Sequence, residues 1–420
     1  MCLYGPPAAG RVAANGGASS AACVSLSPGG RQLRPSRYAF KQSRLLPRVP
    51  LRLGWRRDRR RISHEALEGG DHGRRFLSRG ARSDESELGA TVHGLAVRLS
   101  WPPVPELPVL DHDAVLEAVS PVAAIERVRA GLVRFHAGQW QMPPKVYLDS
   151  QPYGDFRAMP ARGDGLALLK WVTSFPGNPK RGLPTVSGVI CLSDASSGEP
   201  LMLLDARSVT ALRTGAVAAV ATEAHAATGA HSVGIVGCGL HGAWAARCLV
   251  AAGFGGGVCH DPRLDTAERL ASELGPGWTA GTHDDALRCE IVCCVTPGAE
   301  LVIDAGDLRP GLHLNMLGAD GPGKAEATAA AVASCALFCD EWEQASHGGE
   351  LTGAVEAGLV TREHVTELGA VLAGDAPGRP GPQAVTLFDS TGLAIQDLAV
   401  AGAALEAWRE GRVQAQTVRL

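Results

Sequence analysis

The sequence is poor in aromatic residues and lacks long apolar runs and closely paired cysteines, and each absence excludes a class of protein. Aromatic residues make up only 5% of the 420 residues, whereas alanine and glycine are abundant, which predicts closely packed helices. No apolar run reaches the ~18 residues that a membrane-spanning helix needs, so we expect no membrane partner. None of the 11 cysteines forms a C-x-x-C pair, and no histidine stands at zinc-finger spacing from one, so no metal site is predicted.

The cysteines point instead to a reducing environment. Their total is odd, so complete pairing into disulfides is excluded. Cys248, Cys259, Cys293 and Cys294 fall in predicted helix or strand cores. We interpret them as buried free thiols and therefore predict a cytoplasmic protein.

Acidic residues are absent from positions 1–57, and the first part of the chain differs from the rest. Residues 1–105 carry 17 arginines, one lysine and seven acids, a net charge of +11, without sustained helical or strand periodicity. We predict a disordered basic leader here, dispensable for folding of a body that begins near Glu106. An organelle transit peptide and a polyanion-binding tail are the alternatives.

Residues 106–420 have the composition of a folded enzyme. Because the whole chain has a net charge of −3, this body carries −14. An acidic body argues against nucleic acid as a partner. A chain of this length suggests two or three domains and is long enough to bury a large core.

A glycine-rich stretch at 232–242 is the most informative part of the chain. A β-branched run at 233–236 is typical of a buried parallel strand. Gly237, Gly239 and Gly242 follow at the spacing G-x-G-x-x-G, and a helical pattern then begins. Such glycines permit a tight turn, close approach of a pyrophosphate and close packing of helix on strand. A glycine-rich turn in an α/β domain without a cofactor is the alternative.

A second short strand ends in Asp261, where an acidic residue accepts the ribose hydroxyls of NAD in such domains. This position therefore favours NAD as the cofactor. Arg263 follows two residues later and could tolerate a 2′-phosphate, so NADP stays open.

The periodicity predicts two kinds of sheet. Residues 106–227 contain predicted helices at 121–137 and 209–227 and form a mixed, largely antiparallel region. After the glycine loop, strands and helices alternate, which implies a parallel sheet with helices on both faces. The predicted fold class is therefore α/β. Ligands of such sheets bind at the carboxyl ends of the strands, where Thr296 and Asp320 fall.

Seven ordered motifs resemble the ornithine cyclodeaminase/mu-crystallin family over residues 106–420. They are Met-Pro-Pro-Lys (142–145), Phe-Arg-Ala-Met-Pro (156–160), Lys170 with Pro-Gly-Asn-Pro (176–179), Ala-Leu-Arg-Thr-Gly-Ala (211–216), Gly-Cys-Gly (237–239), Gly-Ala-Asp-Gly-Pro-Gly-Lys-Ala-Glu (318–326) and Phe-Asp-Ser-Thr-Gly-Leu-Ala-Ile-Gln-Asp (388–397). Several motifs in one order are far more specific than the glycine loop alone.

The resemblance implies a Rossmann dinucleotide-binding domain at 222–392. It also implies a mixed α+β substrate and dimerisation domain at 106–221, completed by the last helix within 393–420, and a homodimer. Family members oxidise the Cα–N bond of an amino acid with NAD, or reduce an imine with NAD(P)H. We therefore expect a small amino-acid or imino-acid substrate.

The resemblance also implies roles for individual residues. Asp320 matches the catalytic acid/base, and Lys170 is placed beside it as a catalytic and substrate-binding residue. Lys145 and Arg213 match contacts to the substrate carboxylate. The cofactor contacts implied are Thr185, Arg213, Thr214, Gly237, Gly239, Leu240, His241, Asp261, Thr296, Leu317, Asp320, Lys324, Ser390 and Thr391.

The residue types suit this chemistry. Cations can hold a substrate carboxylate and orient its Cα toward a nicotinamide ring. An anion such as Asp320 can stabilise a developing iminium and accept a proton. Solvated surface charge is the alternative for Lys145, Lys170 and Arg213, although Lys170 lies within an apolar run. A turn before Gly-Pro-Gly is the alternative for Asp320.

Two positions depart from the family pattern. Arg157 stands where ornithine-cyclising members carry an acid, and a cation suits a second carboxylate better than a diamine. We therefore predict an alanine-dehydrogenase-like or imine-reductase-like enzyme. A true ornithine or lysine cyclodeaminase and a mu-crystallin-like ligand-binding protein are the alternatives. His241 stands where glutamine is common, and an exposed loop position is expected for it rather than a catalytic role.

Overall fold

The computed structural model describes residues 106–419 and two short strands at 90–92 and 95–97. The predicted leader, residues 1–105, otherwise lies outside the described residues. The strands are β1 (Ala90–Val92), β2 (Leu95–Val97), β3 (Glu106–Leu110), β4 (Val146–Ser150), β5 (Gly154–Gly163), β6 (Leu166–Ser174), β7 (Val186–Asp194), β8 (Pro200–Asp205), β9 (Val233–Val236), β10 (Gly257–His260), β11 (Trp278–Ala280), β12 (Ile291–Cys294), β13 (His313–Met316), β14 (Ala336–Cys339), β15 (Val365–Glu367), β16 (Thr386–Asp389) and β17 (Gln416–Arg419).

The helices include those that the periodicity predicts at 121–137 and 209–227. They are α1 (His112–Ala118), α2 (Pro121–His136), α3 (Ala206–His225), α4 (Leu240–Ala251), α5 (Leu264–Leu274), α6 (His283–Leu287), α7 (Ala329–Ala333), α8 (Trp342–Gly348), α9 (Thr352–Glu356), α10 (Leu368–Ala373) and α11 (Ala394–Arg409). Short 3-10 turns occur at Asn178–Arg181, Ala305–Asp307 and Arg362–His364. In residues 106–419, no helix combines the length and apolar character that crossing a bilayer requires.

The second half of the chain forms an eight-stranded parallel sheet in the order β11-β10-β9-β12-β13-β16-β14-β15. All its strand pairs are parallel. Every residue of β9, β12, β13 and β16 is buried, as expected for strands covered by helices on both faces. The strand order reverses direction at β9, so its carboxyl end is a topological switch point. The predicted α/β class with a Rossmann-type sheet is confirmed.

The first half forms a seven-stranded sheet in the order β17-β3-β8-β7-β6-β5-β4. All neighbours are antiparallel except β3 and β8. Side chains of β6 alternate strictly: Leu168, Lys170 and Val172 point inward, whereas Leu169 and Trp171 are exposed. Helices α3 and α11 pack on the inner face of the sheet, and α2 packs on both of these helices.

Helix α3 joins the two halves and is buried along almost its whole length. It contacts α2 and β7 on one side and α4 and β13 on the other. It runs through the domain limit that the sequence predicts after residue 221, and both predicted domain limits stay predictions. The chain returns to the first sheet at its end, because α11 packs on α2 and β17 pairs with β3.

Candidate active site

A pocket lies where the inner face of the antiparallel sheet meets the carboxyl ends of β13 and β16. Ten of the residues predicted for the site line it: Lys145, Arg157, Lys170, Arg213, Thr214, His241, Leu317, Asp320, Ser390 and Thr391. Met159, Val172 and Val186 supply an apolar wall. The pocket therefore combines convergent cations, one carboxylate and a small apolar surface, as expected of a site for a small polar ligand.

Lys170 is held deep in this pocket by an acid that the sequence reasoning did not single out. Its Nζ donates to both carboxylate oxygens of Asp397, at 3.0 and 3.1 Å. The same carboxylate lies 3.4 Å from Nε of Arg213. Burial lowers the pKa of Lys170 to about 8, although Asp397 acts in the opposite direction. One buried carboxylate thus holds two of the predicted cations side by side.

Lys145 differs from the other cations because it has no carboxylate within ion-pair distance among the described residues. Its Nζ donates to the carbonyl oxygen of Thr391 at 2.7 Å. Burial lowers the pKa of Lys145 to about 8, opposed by Asp320 and Asp340. The ammonium group is therefore available to an anionic ligand.

The guanidinium of Arg157 donates hydrogen bonds to two acids. Nε and Nη2 donate to the two oxygens of Asp155, at 2.6 and 3.3 Å, and Nη1 donates to Oδ2 of Asp320 at 2.8 Å. The Tyr147 ring lies 5.3 Å from the guanidinium carbon. Burial opposes the charge, but Asp320 and then Asp155 outweigh it and raise the pKa of Arg157 above its ordinary value.

Asp320 lies in the loop after β13, at the mouth of the pocket. Besides Arg157, Lys324 contacts it, with Nζ 2.6 Å from Oδ1. Burial acts to raise the pKa of Asp320, but Arg157 and Lys324 outweigh it and hold this pKa far below its ordinary value. Asp320 therefore stays a carboxylate across the physiological pH range and is a weak proton acceptor in this arrangement.

Buried acids fix the loops that carry these residues, and sequence reasoning missed them. Glu326 accepts backbone N–H groups of Thr296 and Gly318, at 2.6 and 2.7 Å, and so ties the loops after β12 and β13 together. Glu350 accepts the N–H of Glu326 in turn. The only sequence signal was that Glu326 ends a family motif.

Asp340 fixes the loop after β16 in the same way, by accepting hydrogen bonds from it. It accepts from the hydroxyls of Ser390 and Thr391 and from the N–H of Gly392, at 3.3, 3.0 and 3.0 Å. Burial raises the pKa of Asp340. Because both hydroxyl protons are donated to Asp340, Ser390 and Thr391 can offer a ligand only their backbone groups and the lone pairs of their hydroxyl oxygens.

The glycine loop has the shape that a dinucleotide requires. A Cβ at Gly237 would lie 2.6 Å from the carbonyl oxygen of Val295, and one at Gly242 would lie 1.9 Å from that of Gly237. A Cβ at Gly239 would meet nothing within 4 Å, so this backbone faces open space. Gly239 caps α4 without a side-chain bond to its first N–H groups. The loop therefore fits a pyrophosphate on free N–H groups.

Asp261 follows β10 at the edge of this loop. Its Oδ2 accepts the N–H of Cys238 at 3.0 Å, and its Oδ1 accepts the N–H and Nε of Arg263, at 3.0 and 3.2 Å. Burial acts to raise the pKa of Asp261, but these hydrogen bonds lower it. The carboxylate is thus ionised and fixed beside the glycine loop.

The other predicted residues lie near the pocket without lining it. Leu240 begins α4, Thr296 follows β12, and Lys324 reaches the site through Asp320. Thr185 directly precedes β7, and its carbonyl oxygen accepts the N–H of Phe175 at 2.8 Å. The predicted roles of these residues stay predictions.

His241 is placed differently from the expectation. It lies in the first turn of α4, is partly buried and lines the pocket, rather than standing on an exposed loop. Burial, and next to it Arg213, lower the pKa of His241 to about 4, so the ring is neutral at physiological pH.

The four cysteines that were predicted to be buried are buried. The nine in the described part of the chain are free, and Cys248, Cys259, Cys293 and Cys294 are inaccessible to solvent. Across residues 106–419, no three His, Cys, Asp or Glu side chains are arranged to hold a metal ion.

Comparison with known proteins places this geometry among amino-acid oxidoreductases. The model of the ornithine cyclodeaminase/mu-crystallin family matches residues 108–412. An alanine dehydrogenase from Archaeoglobus fulgidus is 38% identical over 298 residues, 70% of this chain and 92% of that protein. An iminosuccinate reductase from Paracoccus denitrificans is 34% identical over 237 residues, 55% of this chain and 74% of that protein.

A solved structure agrees with these sequence relatives. An archaeal alanine dehydrogenase dimer with bound NAD superposes with a TM-score of 0.72 at 36% identity. The superposition covers 75% of this chain and all of that one. The residues that the family model matches, 108–412, include strands of both sheets.

Proposed function

Because the chain belongs to the ornithine cyclodeaminase/mu-crystallin family, an oxidoreductase family with a Rossmann-type sheet, we propose that it acts with NAD on the Cα–N bond of a small 2-amino or 2-imino acid. The observation that carries this proposal is the cluster of Lys145, Lys170 and Arg213 facing Asp320 at the carboxyl edge of the parallel sheet. The alanine-dehydrogenase-like and imine-reductase-like assignments share this chemistry.

The cations bind and orient the substrate carboxylate. Lys145 has no competing carboxylate partner among the described residues, and Lys170 and Arg213 are held at a fixed spacing by Asp397. Charge-assisted hydrogen bonds to a carboxylate are the strong ones in proteins. Holding one end of the substrate fixes the direction of its Cα–H bond and so reduces the entropic barrier.

Asp320 stabilises the charge that develops at nitrogen. Its lowered pKa keeps it ionised, so its first contribution is to face the positive iminium rather than to remove a proton. Because the Asp320 side chain is 40% exposed, water can reach the amine and exchange its proton. Acid/base action by Asp320 itself stays a prediction.

The glycine loop and Asp261 would hold the cofactor. When bound, NAD supplies a hydride acceptor, and NADH a hydride donor, for the Cα–N bond. Gly237, Gly239 and the first turn of α4 would carry the pyrophosphate, and Asp261 would face the ribose hydroxyls. An acid at this place favours NAD over NADP.

A diamine-cyclising activity is disfavoured by Arg157. A distal ammonium group entering the pocket would meet this guanidinium, which lines the pocket. Like charges in a partly desolvated pocket repel strongly.

We also propose that the enzyme is a cytoplasmic homodimer. The outer face of β4, β6 and β7 exposes Leu148, Leu169, Trp171 and Val189, with exposed fractions of 58%, 46%, 38% and 43%. A contiguous apolar face of this kind is characteristic of a protein–protein interface. A second copy is the occupant we propose, since the archaeal alanine dehydrogenase of the same fold is a dimer.

Light scattering of the purified protein tests the dimer. The wild-type protein should have the mass of two chains, whereas Leu169→Arg should have the mass of one with an unchanged circular dichroism spectrum. Val122→Arg, on the exposed side of α2, is the matched control and should stay dimeric. A monomeric wild type would contradict the proposal.

The activity is tested by following NADH absorbance with a panel of substrates. Short 2-oxo acids with ammonium and cyclic imino acids should oxidise NADH, and the corresponding amino acids should reduce NAD. Ornithine and lysine are included to detect cyclisation. If NADH binds but no member of the panel turns over, the protein is a ligand-binding member of the family instead.

A further inference from the structure

Arg157 contacts two acids within the chain, and their arrangement bears on substrate choice. Asp155 and Arg157 stand two residues apart on β5, so both side chains project from the same face of the sheet. Asp155 accepts hydrogen bonds from the side-on edge of the guanidinium, which carries Nε and Nη2. Nε donates to Oδ1 at 2.6 Å, and Nη2 donates to Oδ2 at 3.3 Å. This edge is the one that grips a carboxylate with two parallel hydrogen bonds.

The rest of the guanidinium is also committed. Nη1 donates to both the carboxylate and the carbonyl oxygen of Asp320, at 2.8 and 3.2 Å. Four of the five N–H donors of an arginine are therefore used within the chain. Tyr147 covers one face of the group, and its hydroxyl donates to the same Asp320 carbonyl at 3.4 Å. Arg157 has no free pair of adjacent donors for a ligand.

The charges of the site give an independent argument. Five cations, Lys145, Arg157, Lys170, Arg213 and Lys324, face four acids, Asp155, Asp320, Asp340 and Asp397, which leaves one positive charge unmatched. One substrate carboxylate neutralises that charge. A second carboxylate would leave a buried negative charge without a partner, which is strongly unfavourable.

We propose that Asp155 is the specificity-determining residue of this pocket: it occupies Arg157 in place of a second substrate carboxylate and thereby restricts the enzyme to monocarboxylic 2-imino and 2-amino acids. The proposal rests on the proposed function for its substrate class. It differs from the expectation that Arg157 itself contacts a second substrate carboxylate, because Asp155 makes that contact within the chain. The apolar wall of Met159, Val172 and Val186 suits a short apolar side chain.

The test compares Asp155→Asn and Asp155→Ser with wild type. Either change removes the negative charge and one of the two acceptor oxygens, so Asp155 no longer makes its paired contact with the side-on edge of Arg157. The rates to measure are kcat/KM for pyruvate with ammonium and for oxaloacetate with ammonium, at constant ionic strength. The ratio of the dicarboxylate to the monocarboxylate should rise by about 10- to 100-fold in both variants, since a hydrogen bond to a charged group is worth that factor.

Asp164→Asn is the matched control. Asp164 stands in the turn that follows β5, at its opposite end, and pairs with Arg134 outside the pocket. Asp164→Asn also removes one negative charge from this hairpin, but away from the pocket. The ratio of dicarboxylate to monocarboxylate kcat/KM in this variant should therefore equal that of wild type. An equal rise in this control would mean that net charge, not Asp155, sets the preference.

A binding measurement separates this proposal from the activity. Propionate should raise the melting temperature of the wild-type protein more than succinate does, and succinate should gain in Asp155→Asn. If turnover is absent but this preference changes, the assigned activity is wrong and the role of Asp155 holds. If both the rate ratio and the melting preference are unchanged in the two variants, the role of Asp155 is wrong, whatever the activity.

Discussion

Lys170 and Asp397 form an ion pair that is closed to water, with Nζ 3.0 Å from one carboxylate oxygen and 3.1 Å from the other. The exposed fractions of the two side chains are 1% and 0%. The pair joins β6 to α11, which are separated by 227 positions in the chain. Because Asp397 also lies beside Arg213, it sets the spacing of two cations that line the pocket.

Removal of the Asp397 charge should destabilise the protein and impair the site. Asp397→Asn leaves Lys170 buried without a counter-charge, so we expect the free energy of unfolding to fall by about 3 kcal/mol. KM for the substrate should rise as well, because Lys170 and Arg213 lose their fixed spacing. Urea denaturation and steady-state kinetics measure the two effects.

Glu406→Gln is the control on the same helix. Glu406 pairs with Arg127 on the exposed side of α11, and such pairs contribute roughly 0–1 kcal/mol. If Asp397→Asn is no less stable than Glu406→Gln, the buried pair does not hold the site together.

Lys170 and Asp397 differ in how far their positions could be predicted from the sequence. Lys170 interrupts an apolar strand pattern, so its burial was predictable from its neighbours. Its partner was not, because no periodicity relates residues on different elements that are far apart in the chain. Asp397 was visible only as the last residue of a family motif.

The same limit applies to the fold. The strands of the parallel sheet were largely predictable, since each is a short apolar run between helical patterns. Strand β17 was not, because its four residues are all exposed and it forms only through pairing with β3 at the other end of the body. Pairing across the whole chain leaves no local signal.

The pH dependence of substrate capture should follow the two pocket lysines. Burial lowers the pKa of Lys145 and of Lys170 to about 8 in the free enzyme. Their charged forms exist below that pH and are lost above it, so kcat/KM should fall as pH rises past 8. The slope should approach two log units per pH unit, since both must be charged.

Lys145→Arg tests this assignment, because arginine keeps its charge throughout the range. The slope of log kcat/KM above pH 8 should drop from two toward one. An unchanged slope would show that Lys145 does not titrate in this limb.

Cofactor choice should depend on Asp261. Its carboxylate is ionised and fixed by Cys238 and Arg263, so we expect it to accept ribose hydroxyls and to repel a 2′-phosphate. Asp261→Ser should lower the preference for NAD over NADP by tenfold or more, measured by titration of each cofactor. Asp265→Ser, exposed in the first turn of α5, should keep the wild-type preference. Equal preferences in the two variants would remove Asp261 from the cofactor site.

Acid stability should depend on a buried histidine that takes no part in the site. His225 at the end of α3 stacks on Phe338, with ring centroids 3.7 Å apart, and His313 lies next to it. Neither ring nitrogen of His225 has a hydrogen-bond partner within the described residues. Burial lowers the pKa of His225 to about 4, from 6.5 in the unfolded chain.

The direction in which stability changes with pH follows from proton binding. Between pH 6.5 and 4 the unfolded chain binds a proton that the folded protein does not, so stability falls as pH falls through this window. The loss from His225 approaches roughly 3 kcal/mol at pH 4. His225→Phe should remove this part of the slope in urea denaturation, whereas His231→Phe, on the surface, should retain it. A variant His225→Phe with the full wild-type slope would assign the acid sensitivity elsewhere, His313 being the next group to examine.

Asp320 is the one carboxylate, among the residues that the structure describes, that lines the pocket. Asp320→Asn keeps the shape of the side chain but removes the charge that faces the iminium. Turnover should fall by about two orders of magnitude or more, and cofactor affinity should stay within a few-fold, since the glycine loop is untouched. Arg213→Ala should differ by raising KM as well as lowering kcat, because it holds the carboxylate in both the ground and transition states. Arg157 and Lys324 also lose their shared partner in Asp320→Asn, so a melting curve must show that the loop after β13 keeps its stability. If Asp320→Asn folds normally and turns over at the wild-type rate on the best substrate, the chemistry proposed for this pocket is wrong even though the fold is right.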